Sequence, residues 1–512
     1  MTALAQPPAP RPAGRCDRIA PLLALAWAVL AIAAIDVEFG RHAEATAQIL
    51  VEGVGSVDAL PVAVEIPVNQ GRAVDVAGMF PGVWAIAQGF VNLPFHALGP
   101  WAGLRFIYWM GALFSALGSW LVYRHALRTL ASPGLALLGQ GLFLALPAQW
   151  ALSVHWQQCP NGVLLFGSLA ALAAGNFPIF LALSLVQATL HPLAAPVTLA
   201  VAWAALRTPG PGARPLLPGP GPSPAAARRM FRITAAVLGA VVLLLLAGLA
   251  WRGLANGPDG SLTWYFILRK LEIASGEQLR NLPANLLFLL PLGFLPLLDG
   301  VLLPALLPLL AYVVAGTQGL VSAACPLYLG VAFLAYLHKV SAWRPRAQAV
   351  ALWAGLGTAV ALHLFVPWTV LFPVGDGPVG GPLALASWRV PEREAAIDAL
   401  VREHVPAGTA ACVSDYARLP LMMESCARIA PLDYPGRQGH RGVIEFLETT
   451  DRGRLDTGEW DFLLVDRARL RDDAALGDLL RRIEASGRYV AAGEVDGAVL
   501  YRSVAAPQAP GP

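Results

Sequence analysis

The stretch "AIDVEFGRHAEATAQILVEG" (34–53) closes a long apolar run and at once sets Asp36, Glu38, Arg41, His42 and Glu44 within nine positions. The run before it, Ile19 to Ile35, follows a Pro/Ala-rich N-terminus that carries Arg11, Arg15 and Arg18. Such a run can form a first membrane span, and basic residues ahead of it hold that end in the cytoplasm. Ionisable groups are costly to keep beside hydrocarbon, so a dense set of them at the end of a span tends to mark a functional site, the alternative being a juxtamembrane helix with a wet face. From His42 to Glu52, Ala43, Ala47 and Leu50 or Val51 recur at helical spacing. That spacing predicts a short amphipathic helix lying on the membrane.

Composition extends the same reading to the whole chain. The 512 residues are 56% hydrophobic and 13% charged, and the mean hydropathy is +0.57, whereas soluble domains carry roughly 25% charged residues. A polytopic membrane protein with a soluble appendage is expected. The net charge of +3, with no Lys/Arg cluster interleaved with aromatics, speaks against a nucleic-acid partner. Lys270 and Lys339 are the only lysines among 36 basic residues, a usage typical of a GC-rich bacterial coding bias.

Further apolar runs lie at 101–123, 131–152, 161–206, 233–251, 283–337 and 348–373. At about 20 residues per crossing, the run 161–206 makes two or three spans and 283–337 makes three, which predicts eleven in all. The basic segments test this arrangement. Arg124 with Arg128, the linker 207–232 and "HKVSAWRPR" (338–346) all fall in the cytoplasm if the N-terminus does. The outer side then receives 36–100, 153–160, 252–282 and everything after 374. The domain plan is a tail at 1–18, a transmembrane domain at 19–375, an extracytoplasmic domain at 376–505 and a tail at 506–512.

From Asp376 the composition becomes that of a water-soluble α/β domain. "TAACVSD", "RIAPLDY" and "WDFLLVDR" read as short buried strands, "GVIEFLETT" and "ALGDLLRRIEAS" as helices, and "RYVAAGEVDGAVLYRSV" as a hairpin turning at Asp496 and Gly497. Cys412 and Cys426 both fall in this domain, as a disulfide candidate or as two buried thiols. "GVGSVD" (53–58) neither follows a buried strand nor opens a helix, so it is no dinucleotide site, and no zinc spacing or phosphate loop is found. Asp299, the clearest acid inside an apolar run, stands at a predicted turn.

The layout around "RHAEATAQILVEG" (41–53) resembles the GT-C type of membrane glycosyltransferase, the group that includes protein mannosyltransferases and lipid A aminoarabinose transferases. The resemblance runs on through the hydrophobic segments of 79–130, through "NGVLLFGSLAALAAGNFPIFLALSLVQATLHPLAAPVTLAVAWAAL" with His191 and Pro192 at its polar break, and to a terminal soluble domain. Where the family has an adjacent Asp-Glu, this chain has Glu38-Phe39, with Asp36 two positions earlier. Asp75 and Pro81 are loose counterparts of a later Lys-Pro-Pro, and Asn161 replaces an acid. The resemblance implies a polytopic GT-C-like helical domain in a bacterial inner membrane, a polyprenyl-phosphate sugar as donor and a lipid, glycan or protein acceptor. It names no certain cofactor and leaves a divalent metal undetermined.

Transfer from a polyprenyl-phosphate sugar needs an activated acceptor and a held phosphate. A carboxylate can act as general base for the acceptor, which nominates Glu38 first and Asp36 second. Cations must face the phosphate. Arg41 and Arg105 lie near the first outer loop, and Arg269, Lys270 and Arg280 in a later one. His42, Glu44, Asp75, His155 and His191 complete the set of residues expected to line the cavity. Two further classes remain open: a transporter or flippase for lipid-linked material, and a non-catalytic envelope assembly protein.

Overall fold

The computed structural model describes residues 14–38, 100–150, 160–189, 194–207, 215–217, 223–255, 290–315, 325–366, 392–406, 409, 412–414, 429–431, 461–467, 481 and 484–504. Within them the chain is mostly helical, with a small sheet at its C-terminal end. The helices are α1 (Arg15–Glu38), α2 (Pro100–Thr129), α3 (Pro133–Ala145), α4 (Pro160–Ala173), α5 (Phe177–Thr189), α6 (Ala194–Leu206) and α7 (Pro224–Ala255). Two 3-10 turns, Leu290–Leu292 and Leu295–Leu298, precede α8 (Leu303–Ala315), α9 (Cys325–Ser341), α10 (Pro345–Phe365) and α11 (Glu392–His404).

Local chemistry sets many of these boundaries. α2, α3, α4, α7 and α10 begin on proline, which is preorganised for the first helical position, where its missing N–H costs nothing. Capping side chains stand just ahead of three helices. Leu135 N–H donates to Ser132 Oγ at 3.3 Å, Ile179 N–H to Asn176 Oδ1 at 3.2 Å and Ala226 N–H to Ser223 Oγ at 3.3 Å. α4 stops in a Schellman motif: Gly175 takes φ 74°, its N–H bonds Leu172 O at 3.0 Å, and Asn176 N–H bonds Ala171 O at 2.8 Å.

The described residues do not support the expected count of eleven spans. Among the described residues two helices are long and apolar enough to cross a membrane by length and composition, the Arg15–Ala33 part of α1 and α10. α3, α5 and α6 have 13 residues each; at ~1.5 Å per residue they reach about 20 Å, short of a hydrocarbon core of ~30 Å. The run 131–152, expected as one span, is broken at Leu146, which leaves helical geometry ahead of Pro147. In 283–337, expected as three spans, the described part gives two 3-10 turns and two helices, because Pro291, Pro296 and Gly293 at φ 57° interrupt the first stretch. The expected linker 207–232 ends earlier, since α7 begins at Pro224.

Apolar side chains nevertheless face outward. Leu22, Leu25 and Val29 on α1, and Val350, Trp353 and Leu364 on α10, are all exposed. An apolar outer face reverses the pattern of a water-soluble helix and points to a membrane association.

The bundle alternates in direction. Tyr123 O–H donates to Asp17 Oδ1 at 2.9 Å, and Ala24, Ala28 and Ala116 share one cluster, so α1 and α2 are antiparallel. Gln140 Nε2 donates to Ala20 O at 2.9 Å, and Trp27 meets Trp150 edge to face at 5.1 Å, so α3 runs with α1. Phe143 meets Phe333 at 5.0 Å on the antiparallel α9. Gln348 near the start of α10 accepts from Ala131 N–H at 3.1 Å and donates to Ser341 O and Trp343 O at 3.1 and 3.0 Å. One end of the bundle therefore gathers the start of α1, the α2–α3 turn and the α9–α10 turn.

At the C-terminal end five strands form a sheet in the order β2-β1-β3-β5-β4. They are β1 (Cys412–Ser414), β2 (Ile429–Pro431), β3 (Phe462–Asp466), β4 (Tyr489–Val495) and β5 (Ala498–Ser503). β1 pairs in parallel with β2 and β3, and β5 pairs antiparallel with β3 and β4. The expected hairpin is present, turning at Asp496 (φ 47°) and Gly497 (φ 81°), the two left-handed positions of a type I′ turn. α11 packs on β4 at Gly493, where an added Cβ would lie 2.5 Å from Leu400 Cδ1.

Candidate functional site

α1 continues past the apolar run to Glu38, which sets Asp36 and Glu38 in its last turn, with no basic residue there. A helix C-terminus carries partial negative charge, so a carboxylate in that turn is disfavoured by about 0.3–1 kcal/mol. Two acids therefore stand where the helix itself would favour a lysine. The α1–α2 contacts set the direction in which the two helices run past each other. Asp17 meets Tyr123, Ala20 and Ser119 share Gln140, and Ala24 and Ala28 cluster with Ala116. Continued along both helices, this register brings Arg105 of α2 about level with Asp36. The acids and Arg105 thus occupy the end of the α1–α2 pair opposite the Asp17–Tyr123 contact.

Arg41, His42, Glu44, Asp75, His155, His191, Arg269, Lys270 and Arg280 lie outside the described residues, as do the expected helix 42–52 and the outer segments 153–159 and 256–282. Cys412 stands on β1, and its expected partner Cys426 is also outside the described residues. Among the described residues no group of three or more His, Cys, Asp or Glu is arranged to hold a metal.

At the opposite end is a buried hydrogen-bonded pair, Asp299 and His338, whose Oδ2 and Nδ1 are 2.5 Å apart. The other carboxylate oxygen accepts from Val301 N–H at 2.9 Å and Leu302 N–H at 3.1 Å, capping the turn that leads into α8. Lys339 Nζ donates to Leu298 O at 3.2 Å beside it. Both oxygens of Asp299 are engaged, so this carboxylate ties the 3-10 turns to α9. His125, fully packed against Phe166 with ring centroids 5.8 Å apart, leaves Nε2 without a hydrogen-bond partner. The sequence marked Asp299 as an interior acid, but nothing local marks His338, 39 positions away, as its partner.

In the C-terminal unit Tyr501 O–H donates to Glu484, and Arg467 donates to Glu484 at 2.7 Å and to Tyr501 Oη at 2.6 Å. Burial pushes the phenol above its ordinary range and the Glu484 carboxylate adds to this, while Arg467 opposes it. The Arg467 guanidinium is in turn held above its usual value, first by the bond to Tyr501. The cluster fastens β3 and β5 to the 484–488 turn.

Compared with known proteins, the chain matches no family model, no curated protein and no solved structure.

Proposed function

We propose that the chain is a multi-pass membrane glycosyltransferase of GT-C-like character, which moves a sugar from a polyprenyl-phosphate donor to an envelope acceptor at the outer face of a bacterial inner membrane. The observation that carries the reading is the acid pair in the last turn of α1; Arg105 lies near the start of α2, at the same end of that antiparallel helix pair. In this reading Glu38, or Asp36 beside it, takes the proton of the acceptor hydroxyl or amine as that atom bonds to the anomeric carbon. The bond from that carbon to the phosphate oxygen breaks, and the polyprenyl phosphate leaves with its charge met by Arg105 and Arg41. The N-terminus lies in the cytoplasm and the C-terminal α/β unit outside; the cations gathered at the opposite end of the bundle support that orientation.

The test is a membrane transfer assay with labelled polyprenyl-phosphate sugars, comparing wild type with Glu38→Gln and Asp36→Asn at equal membrane abundance. Loss of transfer in Glu38→Gln by about 10²- to 10⁴-fold, the usual worth of a general base, is expected. Transfer unchanged in both variants removes the acids from the chemistry. The buried Asp299–His338 pair favours a second reading, a proton-linked carrier of lipid-linked material. In that case Asp299→Asn abolishes uptake into vesicles while both α1 variants leave it intact.

A further inference from the structure

One face of α2 carries Leu113, Leu117, Trp120, Arg124 and Arg128. Their spacing of four, three, four and four keeps them on a single stripe. Leu113 and Leu117 are 45% and 43% exposed, Trp120 is half-buried, and both arginines are exposed. Arg124 Cζ sits 5.9 Å over the Trp120 ring, and the same device recurs at the end of α6, where Arg207, just past its last residue, has Cζ 4.9 Å over Trp203.

The arginines have no acidic partner among the described residues. Around them the same end of the bundle carries Arg15, Arg18, Lys339, Arg344 and Arg346. The acids there are engaged elsewhere: Asp17 accepts from Gly14 N–H and Tyr123 O–H, and Asp299 holds His338. Arg124 and Arg128 stand one turn apart on α2, a like-charge pair of the kind that disfavours a helix and that an anion shared between them would offset.

We propose that this stripe binds an anionic glycerophospholipid of the cytoplasmic leaflet. Its phosphate lies between Arg124 and Arg128, its glycerol region at Trp120, and an acyl chain along Leu117 and Leu113, about 10 and about 16 Å below Arg124 at ~1.5 Å per residue. A free phosphate or a nucleic acid leaves the leucines uncovered. A second copy of the chain brings the same cations to the face and is repelled. The inference rests on the membrane association of the chain and is independent of the transfer reaction, whose acids occupy the other end of α2.

The test uses the full chain in a neutral detergent, titrated with phosphatidylglycerol, phosphatidylcholine or inorganic phosphate. Bound lipid is read by native mass spectrometry and protection by thermal unfolding. Phosphatidylglycerol is expected to bind and to raise the unfolding temperature, and the other two are not. Arg124→Gln/Arg128→Gln should weaken its binding roughly thirtyfold, which corresponds to about 1 kcal/mol per cation removed. Trp120→Leu, which keeps both cations, should weaken it less. Should the double variant fail to fold, raising salt from about 0.1 M to about 1 M must release the lipid from wild type. Equal binding of both phospholipids, full competition by inorganic phosphate, unchanged affinity in the double variant, or salt-insensitive binding each overturns the proposal.

Discussion

Gly355 on α10 tests how closely the bundle is packed. A Cβ built there stands 2.7 Å from Pro291 O, and 3.0 and 3.3 Å from the two methyls of Leu142. The nearest atom belongs to backbone in a 3-10 turn stiffened by proline, so it cannot swing aside as a side-chain end would. Gly357, two residues along the same helix, meets nothing within 4 Å. Alanine at either position gains about 1 kcal/mol of helix propensity over glycine; at 355 it also meets an overpacking cost of about 1–3 kcal/mol. The propensity gain is common to both variants, so their difference isolates the clash. Gly355→Ala should unfold about 1–3 kcal/mol more readily than Gly357→Ala, measured on the full chain in one detergent by circular dichroism. Equal stability of the two variants, or a greater loss in Gly357→Ala, would refute the close approach of α10 to the 3-10 turn and α3.

The Asp299–His338 pair should be costly to break. Asp299→Ala removes both the pair and the cap of α8 and should lose about 3–5 kcal/mol, read as the same unfolding transition, while Asp299→Asn keeps an acceptor for Val301 and Leu302 N–H and should lose less. Tyr501 should give the C-terminal unit an alkaline weakness. Its folded phenol titrates above the unfolded value of about 10, so the unfolded chain ionises first; the stabilisation is complete below pH ~10 and is lost as pH rises above it. Limited proteolysis should therefore show the C-terminal unit opening as pH climbs past ~10 in wild type, with a shallower dependence in Tyr501→Phe.

The parts of the fold that could be read from sequence are those decided within a few residues. The Asp496–Gly497 turn is such a case, because both positions need positive φ and the flanking residues alternate. β1, β2 and β3 were legible as short apolar runs between turn residues, and the helix starts at Pro100, Pro133, Pro160, Pro224 and Pro345 carry their own signal. The described helices do not support the count of eleven spans, because hydropathy measures burial in lipid and is blind to continuity. Leu146-Pro147 and the Pro291–Gly293–Pro296 set are as apolar as a span, yet they break the helical ladder. Among the described residues, the division of 131–152 and of 290–315 into helices differs from the expected one at these breaks.

The candidate site divides along the same line. Asp36 and Glu38 announce themselves because ionisable groups beside an apolar run are unusual. That Arg105 stands about level with Asp36 depends on the antiparallel register of α1 and α2, set by contacts such as Asp17–Tyr123 between residues 106 positions apart. Arg124 and Arg128 looked like part of a basic loop. They instead lie within α2, which runs on to Thr129, and this turns two loop charges into the head of a stripe that begins at Leu113. The two ends of that helix pair consequently differ in kind. One ends in acids that oppose the dipole of their own helix, and the other in cations that the last turn of α2 favours. The second arrangement needs no function to explain it beyond the membrane surface. The first is unfavourable for the helix alone by about 0.3–1 kcal/mol per charge, and the proposed transfer reaction would put that negative charge to use.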